Sequence, residues 1–396
     1  MKPLLRLEEP APAPARRFAL FDLGFRPFYL LASVFAALSI PLWALQFSGW
    51  LREPYLAGPL WHAHEMLFGF TLAVIVGFLF TAGRNWTNQP TPTGWPLAAL
   101  AALWLAARLL VLTPYALAAA AANIAFPLAA ALALAVPFVK ARNQRNYFFI
   151  GLLALLALAS AVIHLSQLGL LALPPGRGVQ VALDVVLFIL SVMGGRVIPM
   201  FTNNGVPGAA ASRRPWVEKA ALGSVLALIV LDVLGIDGAP LAVVAALACA
   251  AHAARWALWQ PWKTLRVPLV WVLHLAYLWV PLHLALRVAG VLGLAAPSLA
   301  VHALTVGAVG GMVIGMMTRT ARGHTARPLR ADGYEVTCYV LVALAALVRV
   351  GGPLLAPAGL VHAVLLSAAL WSAGFGLYAV RYWPILSRPR LDGRPG

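Results

Sequence analysis

The sequence predicts an all-α bundle of about twelve transmembrane helices, and three observations predict it. The 396-residue chain is 62% hydrophobic and 10% charged, with a mean hydropathy of +0.85, which is more apolar surface than a soluble domain of this size buries. Its apolar residues fall in runs near the ~20 that a helix needs to cross a bilayer. Its Lys and Arg gather in alternate gaps between those runs, the asymmetry that orients a membrane protein. Helices satisfy their own backbone in lipid, whereas open sheets leave edge amides unpaired.

Taken in order, Met1 to Arg17 is polar and Pro/Ala-rich, with no signal-peptide pattern, and reads as a disordered tail. The expected domains are a tail over 1–20, one membrane domain over 21–385 and a second tail over 386–396. Spans are expected over 27–47, 61–82, 96–113, 115–138, 147–170, 179–202, 216–236, 239–257, 268–291, 297–318, 334–355 and 358–382. The third is short, and Gly194-Gly195-Arg196 and Pro199 break the sixth, so both boundaries are soft. With the N-terminus inside, all of the 29 Lys and Arg except Arg52, Arg108, Arg177, Arg287 and Arg349 fall on the cytoplasmic side. Both termini are therefore expected in the cytoplasm.

Helices two, six and ten end alike, on Thr81 to Asn85, Gly195 to Asn204 and Thr318 to Thr320. This hints at three four-helix units, and three snorkelling arginines would give the same pattern. The net charge of +17 comes without a basic patch interleaved with aromatics, which excludes a nucleic-acid partner and leaves the lipid bilayer. Cys249 and Cys338 lie in separate apolar runs and read as packed thiols.

The nine histidines carry the functional question, because histidine is costly in a membrane and usually faces a metal, a proton path or a polar partner. His62, His64, His164, His283, His302 and His362 project to the outer half, and His252 and His274 to the inner side. His324 falls in the loop after helix ten. Imidazoles converging from several helices in a low-dielectric shell are what a buried metal or haem site needs. His62 and His64 are two apart and so face different ways on a regular helix. One could be an axial ligand; the other could bind a second metal, hold a propionate or sit on an unwound start. Glu65 is either a partner that fixes an imidazole, a proton relay, or a carboxylate favoured by the helix dipole. His274 and Tyr277 share a helix face, as a ligand with its phenol or as an interhelical polar pair.

In helix ten, the small residues from Gly307 to Gly315 allow close approach of a helix or a flat macrocycle. Met312, Met316 and Met317 suit either soft copper ligation or packing. Arg319, Arg322, His324 and Arg327 form a polar cap for an anion or for lipid headgroups.

The segments GFRPFYLLA (Gly24 to Ala32), LWHAHEMLFGF (Leu60 to Phe70), GGRVIPMFTNN (Gly194 to Asn204), PLVWVLHLAYLW (Pro268 to Trp279) and HALTVGAVGGMVIGMMTRTARGHTARPL (His302 to Leu329) resemble the NnrS family, in order, over about residues 20 to 385. The resemblance implies a bacterial inner-membrane protein with haem b, in one or two copies, and copper. It also implies a role against nitric oxide in denitrification or nitrosative stress, with an electron donor that the sequence does not identify. Carried over by position, the histidines are His62, His64, His274, His302 and His324, with His164 less securely placed.

A weaker likeness is to the catalytic subunit of haem–copper oxidases and nitric oxide reductases, which also carries haem ligands on helices two and ten. It fails at the copper site, since helices six and seven here hold no histidine, and likeness of fold does not establish activity. The expectation is a haem-containing membrane protein that binds and removes nitric oxide, and, if it is an enzyme, reduces it to nitrous oxide; His62 or His64 with His302 would hold the haem. Arg84 and Arg319 are expected to bind cofactor, Glu65 and Tyr277 to act in catalysis, and His274, His164 and His324 to serve a metal. The alternatives are a non-catalytic haem or copper protein and a proton-coupled transporter.

Overall fold

The computed structural model describes residues 17–47 and 54–394. Lys2, Arg6, Arg16 and Arg52 lie outside the described residues, as does nearly all of the expected N-terminal tail. Among the described residues there are twelve helical stretches and no strand. They are α1 (Phe25–Phe47), α2 (Gly58–Thr87), α3 (Gly94–Leu110), α4 (Ala116–Lys140), α5 (Phe148–Gln167) and α6 (Pro175–Gly205). The second half comprises α7 (Pro215–Leu234), α8 (Ala239–Leu258), α9 (Pro268–Val291), α10 (Pro297–His324), α11 (Gly333–Leu355) and α12 (Leu360–Leu386).

Each helix coincides with an expected span, and ten are long and apolar enough to cross a membrane. The other two are α3, with 17 residues, and α7, which carries Glu218, Lys219 and Asp232. The chain is a multi-pass membrane protein.

Start signals in the sequence explain many of the boundaries. Proline stands in the first turn of α2, α6, α7, α8, α9 and α10, where its missing N–H costs no hydrogen bond. Asp332 and Glu335 close a capping box on α11. Gly235 ends α7 in the left-handed conformation, at φ 69°.

Three boundaries differ from the sequence reading. Packing begins ahead of residue 21, because Ala19 is buried and its N–H reaches the Ser387 carbonyl at 2.8 Å. His324 is the last residue of α10 rather than part of a loop. The expected break in the sixth span is absent, and α6 runs through 31 residues.

The glycines in α6 are there for close packing and do not end the helix. A Cβ on Gly194 would lie 2.8 Å from the Tyr277 ring, and one on Gly195 would lie 1.7 Å from the Arg255 guanidinium. Gly195→Ala is therefore expected to lower stability by about 1–3 kcal/mol through overpacking. Gly151→Ala, with nothing near its Cβ, is expected to leave stability unchanged or slightly raised. Thermal melts of the purified variants check this, and equal melting temperatures would contradict it.

Successive helices pack on one another, and α12 returns against α1 to close the ring. Every fourth helix is central. α2, α6 and α10, with Tyr29 of α1, line an apolar cavity of about 90 Å³ through Ile75, Ile189, Val309 and Met312, among others. Even-numbered helices start at one end of the bundle, called here the histidine end, and odd-numbered helices start at the other.

Candidate metal centres at the histidine end

α2 and α10 share an uncommon local feature. Directly after His64 the backbone is π-helical over Glu65–Thr71, and directly after His302 it is π-helical over Ala303–Gly310. Such segments are rare and concentrate at functional sites, because the wider turn frees carbonyls and re-aims side chains. The Gly69 carbonyl is taken by Trp104 Nε1 at 3.0 Å, and the Met66 carbonyl by Thr71 Oγ1 at 2.8 Å. In α10, Gly307 admits Trp279 to within 2.4 Å of where a Cβ would be. The small residues of helix ten thus serve close helix packing.

His62 and His64 point in different directions, as their spacing requires, and each meets a different histidine. The His62 ring lies 6.4 Å from the His302 ring at 15° between planes, and 5.0 Å from Trp43 at 28°. His302 fixes its tautomer by donating Nδ1–H to the Ser298 carbonyl at 2.6 Å. His62 Nδ1 is buried without a hydrogen-bond partner. Arg349 of α11 acts electrostatically on both rings, and its Nη1 is also buried without a partner.

His64 turns instead to His164 of α5, 4.9 Å away at 75°, and both are fully buried. Each has its Nδ1 engaged, that of His64 by Glu65 Oε1 at 2.8 Å and that of His164 by the Tyr55 hydroxyl at 3.2 Å. Both Nε2 atoms are buried and unpartnered. Glu65 is held in turn by Arg108 of α3 at 2.6 Å, and Arg108 also donates to Asn123 of α4. A buried carboxylate balanced by a buried guanidinium is what makes this arrangement tolerable in lipid. The result is an imidazole pair with four neighbouring groups holding it and two nitrogen lone pairs free to accept.

The remaining candidates lie elsewhere. His274 hydrogen-bonds Thr202 of α6 at 2.8 Å through Nε2. Tyr277, three residues on, takes part in a different network, with His252 Nδ1 at 2.7 Å and Arg255 at 2.7 Å, and Arg255 grips Glu218 through two bonds. The structure therefore gives these two residues separate partners on α6 and α8. His324 packs on Phe25 at the opposite end of the bundle. Arg84 and Arg319 also lie at that end, about 33 Å and 25 Å along their helices from His62 and His302, and Arg319 covers the Phe201 ring at 3.6 Å.

Met312 and Met316 line the central cavity, and Met317 is buried beside it in the core. Cys249 and Cys338 are free thiols, as expected. Tyr55, Arg108, Asn123 and Arg349 belong to the sites, and the sequence reading did not single them out as site residues. Among the described residues no group of three or more His, Cys, Asp or Glu side chains gathers to hold a metal, so each imidazole pair offers two protein ligands.

A search among curated proteins finds no match. The family described as NnrS protein matches residues 19–390, nearly the whole chain and all twelve helices. On that match, the chain belongs to the NnrS family.

Proposed function

We propose that this protein holds haem b and copper at the histidine end, and that it binds nitric oxide there and reduces it to nitrous oxide. Family membership points to the nitric oxide response. The observation that carries the reading is the convergence of four imidazoles into two pairs, with a buried, unpartnered ring nitrogen on His62, His64 and His164.

Both pairs suit their groups chemically. Two protein ligands are enough for a haem iron, whose macrocycle supplies the rest. The His62 and His302 rings, nearly parallel and 6.4 Å apart between centroids, are the residues that would hold the haem. The orphan Arg349 Nη1 near them suits a propionate, whereas the sequence reading placed the cofactor-binding arginines at Arg84 and Arg319. His64 and His164, with Nε2 free and Nδ1 fixed by Glu65 and Tyr55, suit copper, for which imidazole is a good ligand.

When bound, the copper would offer open positions to nitric oxide, and the haem, held by two histidines, would supply electrons. The net reaction takes two nitric oxide molecules, two electrons and two protons to one nitrous oxide and one water, the electrons coming from a donor yet to be identified. Glu65 has its second oxygen free to carry a proton. The apolar cavity between α2, α6 and α10 gives a small apolar gas room inside the bundle. The charge asymmetry supports a histidine end on the outer face of the bacterial inner membrane, with both termini in the cytoplasm.

Two histidines on the haem would leave its iron no open position, which favours a second reading: a haem and copper protein that binds nitric oxide without turnover. Anaerobic assay of reduced, purified protein separates the two. The reductase reading expects one nitrous oxide per two nitric oxide consumed, abolished in His302→Ala and in His64→Ala. Saturable binding without consumption would favour the second reading. Glu65→Gln is expected to weaken copper binding by about 10–100-fold, measured by competition with a chelator; unchanged affinity would remove Glu65 from the site.

A further inference from the structure

A second buried ionic cluster lies in the middle of the chain, apart from every histidine assigned above. Asp184 of α6 and Asp232 of α7 both contact Arg287 of α9, Asp184 through a 2.9 Å bond. Asp184 is fully buried and Asp232 nearly so, at 0% and 7% exposure.

Of the other groups facing the cluster, none bonds either carboxylate with a second positive charge. Gln180 donates to Asp184 Oδ1 at 3.3 Å, and Arg177 is spent on the Asp232 backbone carbonyl at 2.8 Å. His283 of α9 is buried and acts electrostatically on Arg287 and Asp232. Its Nδ1 donates to the Ala300 carbonyl at 2.7 Å, and its Nε2 has no partner on either acid. Asp184 Oδ2 is likewise buried with no partner.

Charge counting then decides the state. Two carboxylates bonded to one guanidinium, with Arg177 turned to a backbone carbonyl, leave the bonded group with a net negative charge in a low-dielectric interior. The other buried acids among the described residues are matched: Glu65 has Arg108 and Glu335 has Arg322. Half-buried Glu218 has Arg255. We propose that Asp184 and Asp232 form a proton-binding site, sharing one proton between their carboxyl groups beside Arg287. One acid then donates its O–H to the other's carboxylate, and the cluster becomes neutral. No bond to carbon changes and no electron moves; the site loads one proton and gives it back.

Infrared spectroscopy of the purified full-length protein tests this. At neutral pH the wild type is expected to show the carbonyl band of a protonated carboxyl group, shifted in heavy water and lost as pH is raised. Carbon-13 labelling of aspartate should move the band. Asp184→Asn and Asp232→Asn should each abolish it, because each leaves one carboxylate to one guanidinium and so keeps a balanced, foldable cluster. The labelling experiment stands even if a variant does not fold. A wild type with no such band, a band unmoved by labelled aspartate, or one unchanged in both variants would overturn the proposal. So would a band that sodium ions remove at constant pH, since the occupant would then be a cation.

Discussion

On the two-centre proposal, His302→Ala is expected to remove most of the haem absorbance while leaving copper binding and the folded bundle intact. His302 is only partly buried and sits six residues into α10, so its removal opens little space in the core. Its ring stands opposite His62, with the Nδ1 side already committed to Ser298, and Nε2 is the atom left for iron. His62→Ala should give the same spectrum. His64→Ala and His164→Ala should do the reverse, losing copper and keeping haem, because their pair faces α5 and not α10. Four variants thus sort into two classes by which cofactor departs. A haem spectrum untouched by His302→Ala, or copper lost from all four variants alike, would contradict the division into two centres.

Arg108→Ala is expected to be the most damaging single change at the site. Arg108 is 5% exposed and Glu65 is fully buried, and truncating the guanidinium leaves Glu65 without its counter-charge and Asn123 without its donor. Breaking a buried ion pair by removing one partner costs about 3–5 kcal/mol, whereas removing both charges is often close to neutral. The variant should therefore melt far below the wild type and recover poorly from detergent. Glu65→Gln combined with Arg108→Met should regain most of that loss, since no uncompensated charge remains. The copper affinity of the double variant should stay low, because Glu65 no longer fixes the His64 ring. Equal stability of Arg108→Ala and wild type, or a double variant no better than the single one, would show that the pair is not the element holding this corner together.

Much of the architecture was legible in the sequence, because lipid imposes a long apolar run on each span and a positive-charge bias on alternate loops. What the runs do not encode is lateral placement. The pairing of His62 with His302 and of His64 with His164 depends on which helices neighbour α2, and no spacing within the chain reports that. The two-residue separation of His62 and His64 did carry information: it required different faces, and the two rings meet different partners.

The π-helical segments were invisible to periodicity, since an extra residue per turn looks like ordinary apolar sequence. The glycines of α6 misled in the other direction. They read as a helix break, whereas they make room for Tyr277 and Arg255. One signal was present in the sequence and not followed. Arg108, Arg287 and Arg349 are three of the five cations that violate the charge asymmetry; Arg108 and Arg287 are held by buried carboxylates, and Arg349 places an unpartnered Nη1 near the His62 and His302 pair. A cation on the wrong side of a membrane protein needs a reason, and for Arg108 and Arg287 the reason is a buried carboxylate.

The most direct test is to count haem and copper per chain in wild-type protein purified under mild conditions, with the absorption spectrum taken in the oxidised and reduced states. The reading of two imidazole pairs as two metal centres predicts haem b, with a spectrum expected for two histidine ligands, together with one copper. Protein that is folded and monodisperse yet carries neither haem nor copper, even after reconstitution with both, would contradict it.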